Sequence, residues 1–265
     1  MLTVENYHSI DSNKKYLSAS QYKDFCGSAG LLGCEAKAMA KIDGTWIEEP
    51  TPAMVVSSYV DAHFSSTLHI FKGKHPEIFR KDNGDLKADF KKMDIVIARI
   101  ERDEYFMKYM SGEIQVIMTG KMLGCEWKIA IDSFLKGVAI VDLKVMKSLN
   151  DSFWVKDLGH TSFVVFYGYD IQAAIYQGVV KANTGEVLPF FIAGASKEGE
   201  PDIEIVGIDN RTIKNANIEM KANVKRILKL KSGEVEPDKC GVCDYCRSIK
   251  VLSKPIHYSE LGRKI

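Results

Sequence analysis

Between residues 113 and 146 three apolar runs, "EIQVIMTGKML", "CEWKIAIDSFL" and "VAIVDLKVM", are separated by one residue and then by two, with a glycine in each gap. Connections that short leave room only for tight turns, so the segment is predicted to fold as an antiparallel three-strand meander. Within its last strand lies "VDLKVMKS", residues 141–148, which sets Asp142 and Lys144 two positions apart in an otherwise apolar stretch. Side chains alternate along a strand, so these two charges share one face while Val141, Leu143 and Val145 take the other. A turn at Gly137 folds Asp132, on the preceding strand, back toward Asp142.

The flanking sequence supplies mostly helices. "LSASQYKDF" opens with serines suited to capping and leads toward "CEAKAMAKI", so helices are expected up to Gly44. "TPAMVVSSYVDAHFSSTLHIF" and "DFKKMDIVIARIERDEYFMKYM" each keep apolar residues at helical spacing and each reads as one helix. After the meander, "YDIQAAIYQGVVKAN" is helical, "VLPFFIAGA" and "DIEIVGID" are strands, and "RTIKNANIEMKANVKRILKLKSG" is an amphipathic helix stopped at Gly233. The expected class is α/β in the α+β sense, a central mixed sheet flanked by helices. One domain over 1–265 is expected, with a helical part over 17–110, a core over 111–235 and a cysteine-rich tail over 236–265.

Composition excludes several classes. Hydrophobic residues make up 46% of 265 and charged residues 27%, which permits a sizeable core and argues against disorder. The formal charge of +1 gives no global pull toward polyanions, so any nucleic-acid site must be a local patch. "MLTVENYHSIDSNKKYLS" lacks the apolar core of a signal peptide, and no stretch is long enough to cross a bilayer. A cytoplasmic protein with no membrane partner is expected. In that reducing setting Cys26, Cys34, Cys125, Cys240, Cys243 and Cys246 are thiols or metal ligands rather than disulfides.

Two carboxylates brought together, Asp132 and Asp142, repel unless a cation lies between them, and oxygen ligands suit Mg²⁺ or Mn²⁺. By itself the D-x-K pattern reads equally as an ion pair on the edge of a sheet. The tail "CGVCDYC" offers Cys240, Cys243 and Cys246, one ligand short of a tetrahedral site. Cys34 is a candidate fourth ligand for an iron–sulfur cluster, and zinc completed by a histidine such as His257 is the rival. Cys26 and Cys125 carry no partner signal.

The order "AIDSFLKGVAIVDLK" followed by "YDIQAAIY" resembles the PD-(D/E)xK nuclease superfamily, with its acid, short hairpin, acid-x-lysine and later Q-x-x-x-Y helix. Within it the chain is most similar to phage-encoded exonucleases related to exonuclease VIII (RecE), and more distantly to lambda exonuclease and the RecB nuclease domain. The resemblance implies a restriction-endonuclease-like core and metal-dependent hydrolysis of linear duplex DNA from an end. It implies catalytic roles for Asp132, Asp142, Lys144, Gln172 and Tyr176, the last two supporting the site and the nucleic-acid backbone. Metal ligands would be Asp132, Asp142 and the Leu143 carbonyl, with Glu113 at the first strand as a further acid. The RecB-like branch carries G-x-x-x-H on an early helix. Here Ser57 replaces the glycine, Asp61 stands where the histidine would be, and His63 is expected to point elsewhere. The late cysteines joined to one early cysteine also resemble the iron–sulfur closure of some members. Implied partners are duplex DNA ends, a single-strand annealing protein in phage-type recombination, and further copies of the chain. The alternative is a nuclease-like fold that only binds nucleic acid or a recombination partner.

Overall fold

The computed structural model describes residues 2–260. Seven helices come first: α1 (Ile10–Lys15), α2 (Ala19–Cys26), α3 (Glu35–Asp43), α4 (Pro52–Phe64), α5 (Leu68–Lys74), α6 (Ala88–Glu101) and α7 (Glu104–Met110). The meander follows as β1 (Glu113–Met122), β2 (Cys125–Leu135) and β3 (Ala139–Met146). A small hairpin, β4 (Ser152–Val155) and β5 (Gly159–Ser162), leads into α8 (Phe163–Phe166) and α9 (Tyr169–Thr184). The chain closes with β6 (Phe190–Ser196), β7 (Ile203–Gly207), α10 (Asn210–Lys231) and α11 (Asp244–Ser248).

The five-stranded sheet runs β1-β2-β3-β6-β7, with β3 and β6 parallel and every other pair antiparallel. A parallel pair needs a crossover, and α9 supplies it. Gly137, at φ 71°, makes the β2–β3 turn, so Leu135 pairs with Ala139 and Ser133 with Val141. The mixed sheet with helices on both faces is the expected architecture.

Local chemistry explains where helices begin and end. Ser18 and Gln21 cap α2 reciprocally, each side chain accepting from the other's N–H at 3.2 Å. Gly44 ends α3 in the left-handed conformation. The two long helices expected over 51–71 and 89–110 are each two. Ser65 and the positive φ of Ser66 interrupt the first, and the Asp103 carboxylate accepts from Phe106 N at 2.9 Å to start α7. In both places a short polar side chain offers the backbone an alternative to continuing the helix. The β4–β5 hairpin was not foreseen, because four-residue strands carry too little periodicity to read.

The sheet buries both faces. Trp127, Ile129, Ile131, Ile140, Phe190 and Ile192 pack on the side of α2, α3, α9 and α10, while Val141, Leu143, Ala193 and Ala195 face α4, α6 and α7. The N-terminal segment joins earlier than expected. Buried Lys128 reaches the Tyr7 carbonyl, Ser12 Oγ at 3.0 Å and Asn13 Oδ1 at 2.7 Å, and Leu17 bridges to Trp127.

Trp127 is fully buried and its indole N–H donates to the Met122 carbonyl at 2.8 Å. Trp127→Ala removes the largest side chain of the α9-side core and should cost about 3–5 kcal/mol. Urea unfolding monitored by circular dichroism checks this as a lowered midpoint at unchanged slope.

Candidate active site

The pairing of β2 with β3 stops at Ser133–Val141. One residue further the strands part, and the Asp132 carboxylate enters the gap: its Oδ2 accepts from Leu143 N at 2.8 Å where a strand carbonyl would otherwise do so. Acids from both faces of the sheet thus meet at one split. Asp142, 2% exposed, projects toward α9, where Gln172 Nε2 donates to its Oδ1 at 2.7 Å. Its Oδ2 receives no hydrogen bond and lies in ion-pair contact with the Lys144 ammonium. Lys144 Nζ also donates to the Leu143 carbonyl at 3.3 Å.

From the opposite face α4 contributes Asp61. With Phe64, Ser65, Met110, Gln115, Asp132 and Leu143 it lines a small depression over the split. The helix is fixed in register by Ser57, whose hydroxyl lies 3.1 Å from the Ala53 carbonyl and 3.2 Å from that of Val145, the residue after Lys144. His63 turns away, as expected, and pairs with Glu101 at 2.8 Å.

Two expectations need correction. Glu113 is exposed and stands opposite Phe134, and it is Gln115 that reaches the acids from β1, its Nε2 3.4 Å from Asp132 Oδ1. Tyr176 is buried, stacks edge-on against Phe190 and donates from its hydroxyl to the Ala130 carbonyl at 2.9 Å. It therefore steadies β2 two residues before Asp132, and its hydroxyl is not directed at a nucleic-acid backbone. Sequence reasoning also missed Tyr169, whose ring centre lies 5.5 Å from Lys144 Nζ. Its place in the first turn of the Q-x-x-x-Y helix was the available signal.

Electrostatics follow from this crowding. Burial raises the Asp132 carboxyl, to about 7, and Asp142 and Asp61 add to the rise against the pull of Lys144 and the Leu143 N–H. Asp61 is raised in the same direction, to about 6, by the surrounding protein and by Asp142, with Lys144 opposing. Because solvent reaches Asp61, the effect there is weaker than at Asp132. Burial disfavours the Lys144 charge, yet Asp142 and Asp132 outweigh it and hold the ammonium well above its ordinary range. Three carboxylates and a backbone carbonyl form an all-oxygen donor set suited to a hard divalent cation, and Asp142 Oδ2, buried with only the Lys144 ammonium in contact, has a lone pair left for that role.

A second cluster lies in the tail. The sulfurs of Cys34, Cys240, Cys243 and Cys246 all lie within 4.8 Å of one another. Cys34 to Cys246 is 3.5 Å and Cys240 to Cys246 is 3.9 Å, while Cys243 N and Cys246 N donate to the sulfurs of Cys240 and Cys243. The fourth position is thus filled by Cys34, and His257 instead contacts Ser259 at 2.9 Å. Around the cluster Arg226 ties Glu35 to Asp238, and Trp46 packs edge-on against Tyr245. Cys26 is exposed and Cys125 partly buried. The large cleft of about 530 Å³ between the N-terminal segment and α3 contains none of these acids.

A mixed sheet split by two acids and a lysine, with a glutamine from the crossover helix, is the architecture of the PD-(D/E)xK class. The chain belongs to the family described as a PDDEXK-like domain of unknown function (DUF3799), whose model matches residues 18–249. It is similar to a protein of Eubacterium rectale of known crystal structure, named "Putative exonuclease", with 54% identity and a TM-score of 0.97 over 100% of this chain and 99% of that one. Comparison with curated proteins gives no match. Among the described residues no helix is long and apolar enough to cross a membrane.

Protons and cations compete for the same carboxylates, so Mn²⁺ affinity should climb as pH rises toward about 7 and level off above it. The folded Asp132 value lies above the unfolded value of about 3.9, so the unfolded chain releases its proton first. Asp132 therefore withdraws stability from the metal-free fold as pH rises between those values. Titration calorimetry with Mn²⁺ at several pH values checks the first expectation; an affinity flat across that window would contradict it.

Proposed function

We propose that the chain is a Mg²⁺- or Mn²⁺-dependent exonuclease that hydrolyses linear duplex DNA from its ends. The observation that carries this reading is the convergence of Asp132, Asp142 and Lys144 at the β2–β3 split, with Asp61 facing them from α4. A fold that served only to bind DNA would gain nothing from crowding buried carboxylates that repel one another. Membership of a PDDEXK-like family and likeness to a protein named as an exonuclease support it.

Asp132, Asp142, Asp61 and the Leu143 carbonyl would hold the cation. A divalent ion there supplies, when bound, Lewis acidity toward a phosphodiester and a more acidic water. Lys144, already poised on Asp142, offsets charge that develops on the phosphate and orients the attacking water. Gln172 fixes the rotamer of Asp142 through its hydrogen bond, and Tyr176 holds the strand that delivers Asp132. Both are positioning residues. A cytoplasmic location, a role before strand annealing in phage-type recombination, an annealing partner and a ring of several copies belong to the same reading.

The tail site we infer to be a structural staple. Zinc–sulfur bonds of about 2.3 Å place thiolates roughly 3.8 Å apart around one ion. Cys246 stands at about that spacing from Cys34 and Cys240, 3.5 and 3.9 Å, and all four sulfurs lie within 4.8 Å of one another. A four-iron cluster binds each thiolate to a different iron and would require them to spread. The spacing favours a single tetrahedral zinc over the iron–sulfur alternative.

Digestion of linear and closed circular duplex DNA, with and without Mg²⁺, tests the activity. Linear DNA alone should disappear, and only with the ion. Asp142→Ala should lower the rate by at least about 10²-fold, and Lys144→Ala should lower kcat by a similar factor with KM little changed. An undiminished rate in Asp142→Ala would overturn the assignment.

Metal analysis of protein purified without oxygen should give one zinc per chain and a colourless solution. Cys34→Ser should lose the metal and melt at lower temperature. A brown preparation containing iron and sulfide would reverse this reading.

A further inference from the structure

The mechanism leaves one cation near the split unused. Lys23, on α2, lies half-buried, and among the described residues no carboxylate stands within ion-pair distance of it. Its ammonium donates to the Tyr167 carbonyl at 3.2 Å and sits 5.4 Å from the ring centre of Tyr169. Lys144 Nζ lies 5.5 Å from the same ring centre. Two ammoniums therefore flank one tyrosine, and only Lys144 is neutralised by a carboxylate in contact.

This placement is built into the fold. Gly168 adopts a positive φ of 66° at the corner between α8 and α9, and a Cβ there would come within 3.0 Å of Lys23 Cδ. The missing side chain lets the lysine stem lie across the corner, so its head is held in place before any ligand arrives. Half-burying an ammonium with no carboxylate in contact is unfavourable, and a second ammonium nearby makes it more so. Burial and Lys144 accordingly lower the Lys23 value, to about 8, against the opposing pull of the more distant Asp142, Asp170 and Asp24. An anion settling beside Lys23 would relieve both penalties.

We propose that Lys23 and Tyr169 form a second phosphate subsite, which grips a phosphate of the cut strand next to the one that Lys144 faces. The proposal rests on the nuclease reading and adds to it a residue that touches substrate outside the acid cluster. A lysine point charge suits a nonbridging phosphate oxygen, and neighbouring phosphates along one strand present the closely spaced charges that two flanking ammoniums require. The ligand is a DNA phosphodiester or the terminal phosphate of a DNA end, and these share the chemistry recognised.

Asp170 is the competing explanation. One of its carboxylate oxygens is buried without a hydrogen bond, and its charge and that of Lys23 attract. If Lys23 serves only to balance Asp170, its loss should lower thermal stability and leave DNA affinity unchanged.

The test measures binding of the full chain to linear duplex DNA in the presence of chelator, so that cutting does not intervene. Ends are prepared with either a 5′ phosphate or a 5′ hydroxyl, and salt is varied. Lys23→Gln should weaken binding about tenfold, as expected for loss of one charge-assisted contact. It should also reduce the salt slope by about one, with Mn²⁺ affinity and melting temperature unchanged. Lys23→Arg should retain most of the affinity. Equal weakening at both kinds of end assigns the subsite to an internal phosphate, and weakening confined to phosphorylated ends assigns it to the terminal one; either supports the proposal. Unaltered affinity in Lys23→Gln, or a loss matched by Lys23→Arg and a fallen melting temperature, overturns it. Failure of the unaltered protein to bind DNA at all would overturn the nuclease reading and the subsite with it.

Discussion

The hydrogen bond from Leu143 N to Asp132 Oδ2 is the interaction on which the site depends. A regular antiparallel pair would have continued past Ser133–Val141 and closed the space between β2 and β3. Instead a side-chain carboxylate takes the ladder's place, and the strands separate while the backbone N–H remains satisfied. The opening brings Asp132 beside Asp61 on one face, while Asp142 stays buried against half-buried Lys144 on the other. Without that exchange the ladder would run on and seal the gap that the Asp132 carboxylate enters.

Much of this was legible in sequence. Short glycine-bearing gaps fixed the meander, and once the turn at Gly137 is placed the alternation of side chains puts Asp132 opposite Asp142. The same counting could have found Gln115. The turn after Met122 sets Ile114 against Ser133 and Val116 against Ile131, which leaves Gln115 across from Asp132. The choice of Glu113 gave more weight to charge than to register. Lys23 and Tyr169 could not be found that way, because their meeting depends on how α2 packs beside the α8–α9 corner, a contact between distant segments that no periodicity encodes. The divided helices were missed because Ser65 and Asp103 are unremarkable in composition and act only through caps.

Charge distribution at the split divides labour among residues that look alike in sequence. Asp142 is buried and Asp132 half-buried, and one is held by Gln172 and Lys144, the other by a backbone N–H. One carboxylate is therefore tied to the backbone of the sheet, and the other to the crossover helix and the neighbouring ammonium.

The tail cluster joins residues 212 positions apart, Cys34 and Cys246, across nearly the whole chain. At translation rates of 5–20 residues per second, Cys34 emerges roughly ten to forty seconds before its last partner is made. During that interval the start of α3 is held by the Cys34 N–H on the Asp24 carbonyl, while its thiol has none of its three later neighbours. The four thiols meet only after the sheet and α10 exist to bring the tail to α3. A chain halted before Cys240 keeps the sheet and α10 but has only Cys34 of the four thiols, so the tail never clasps α3.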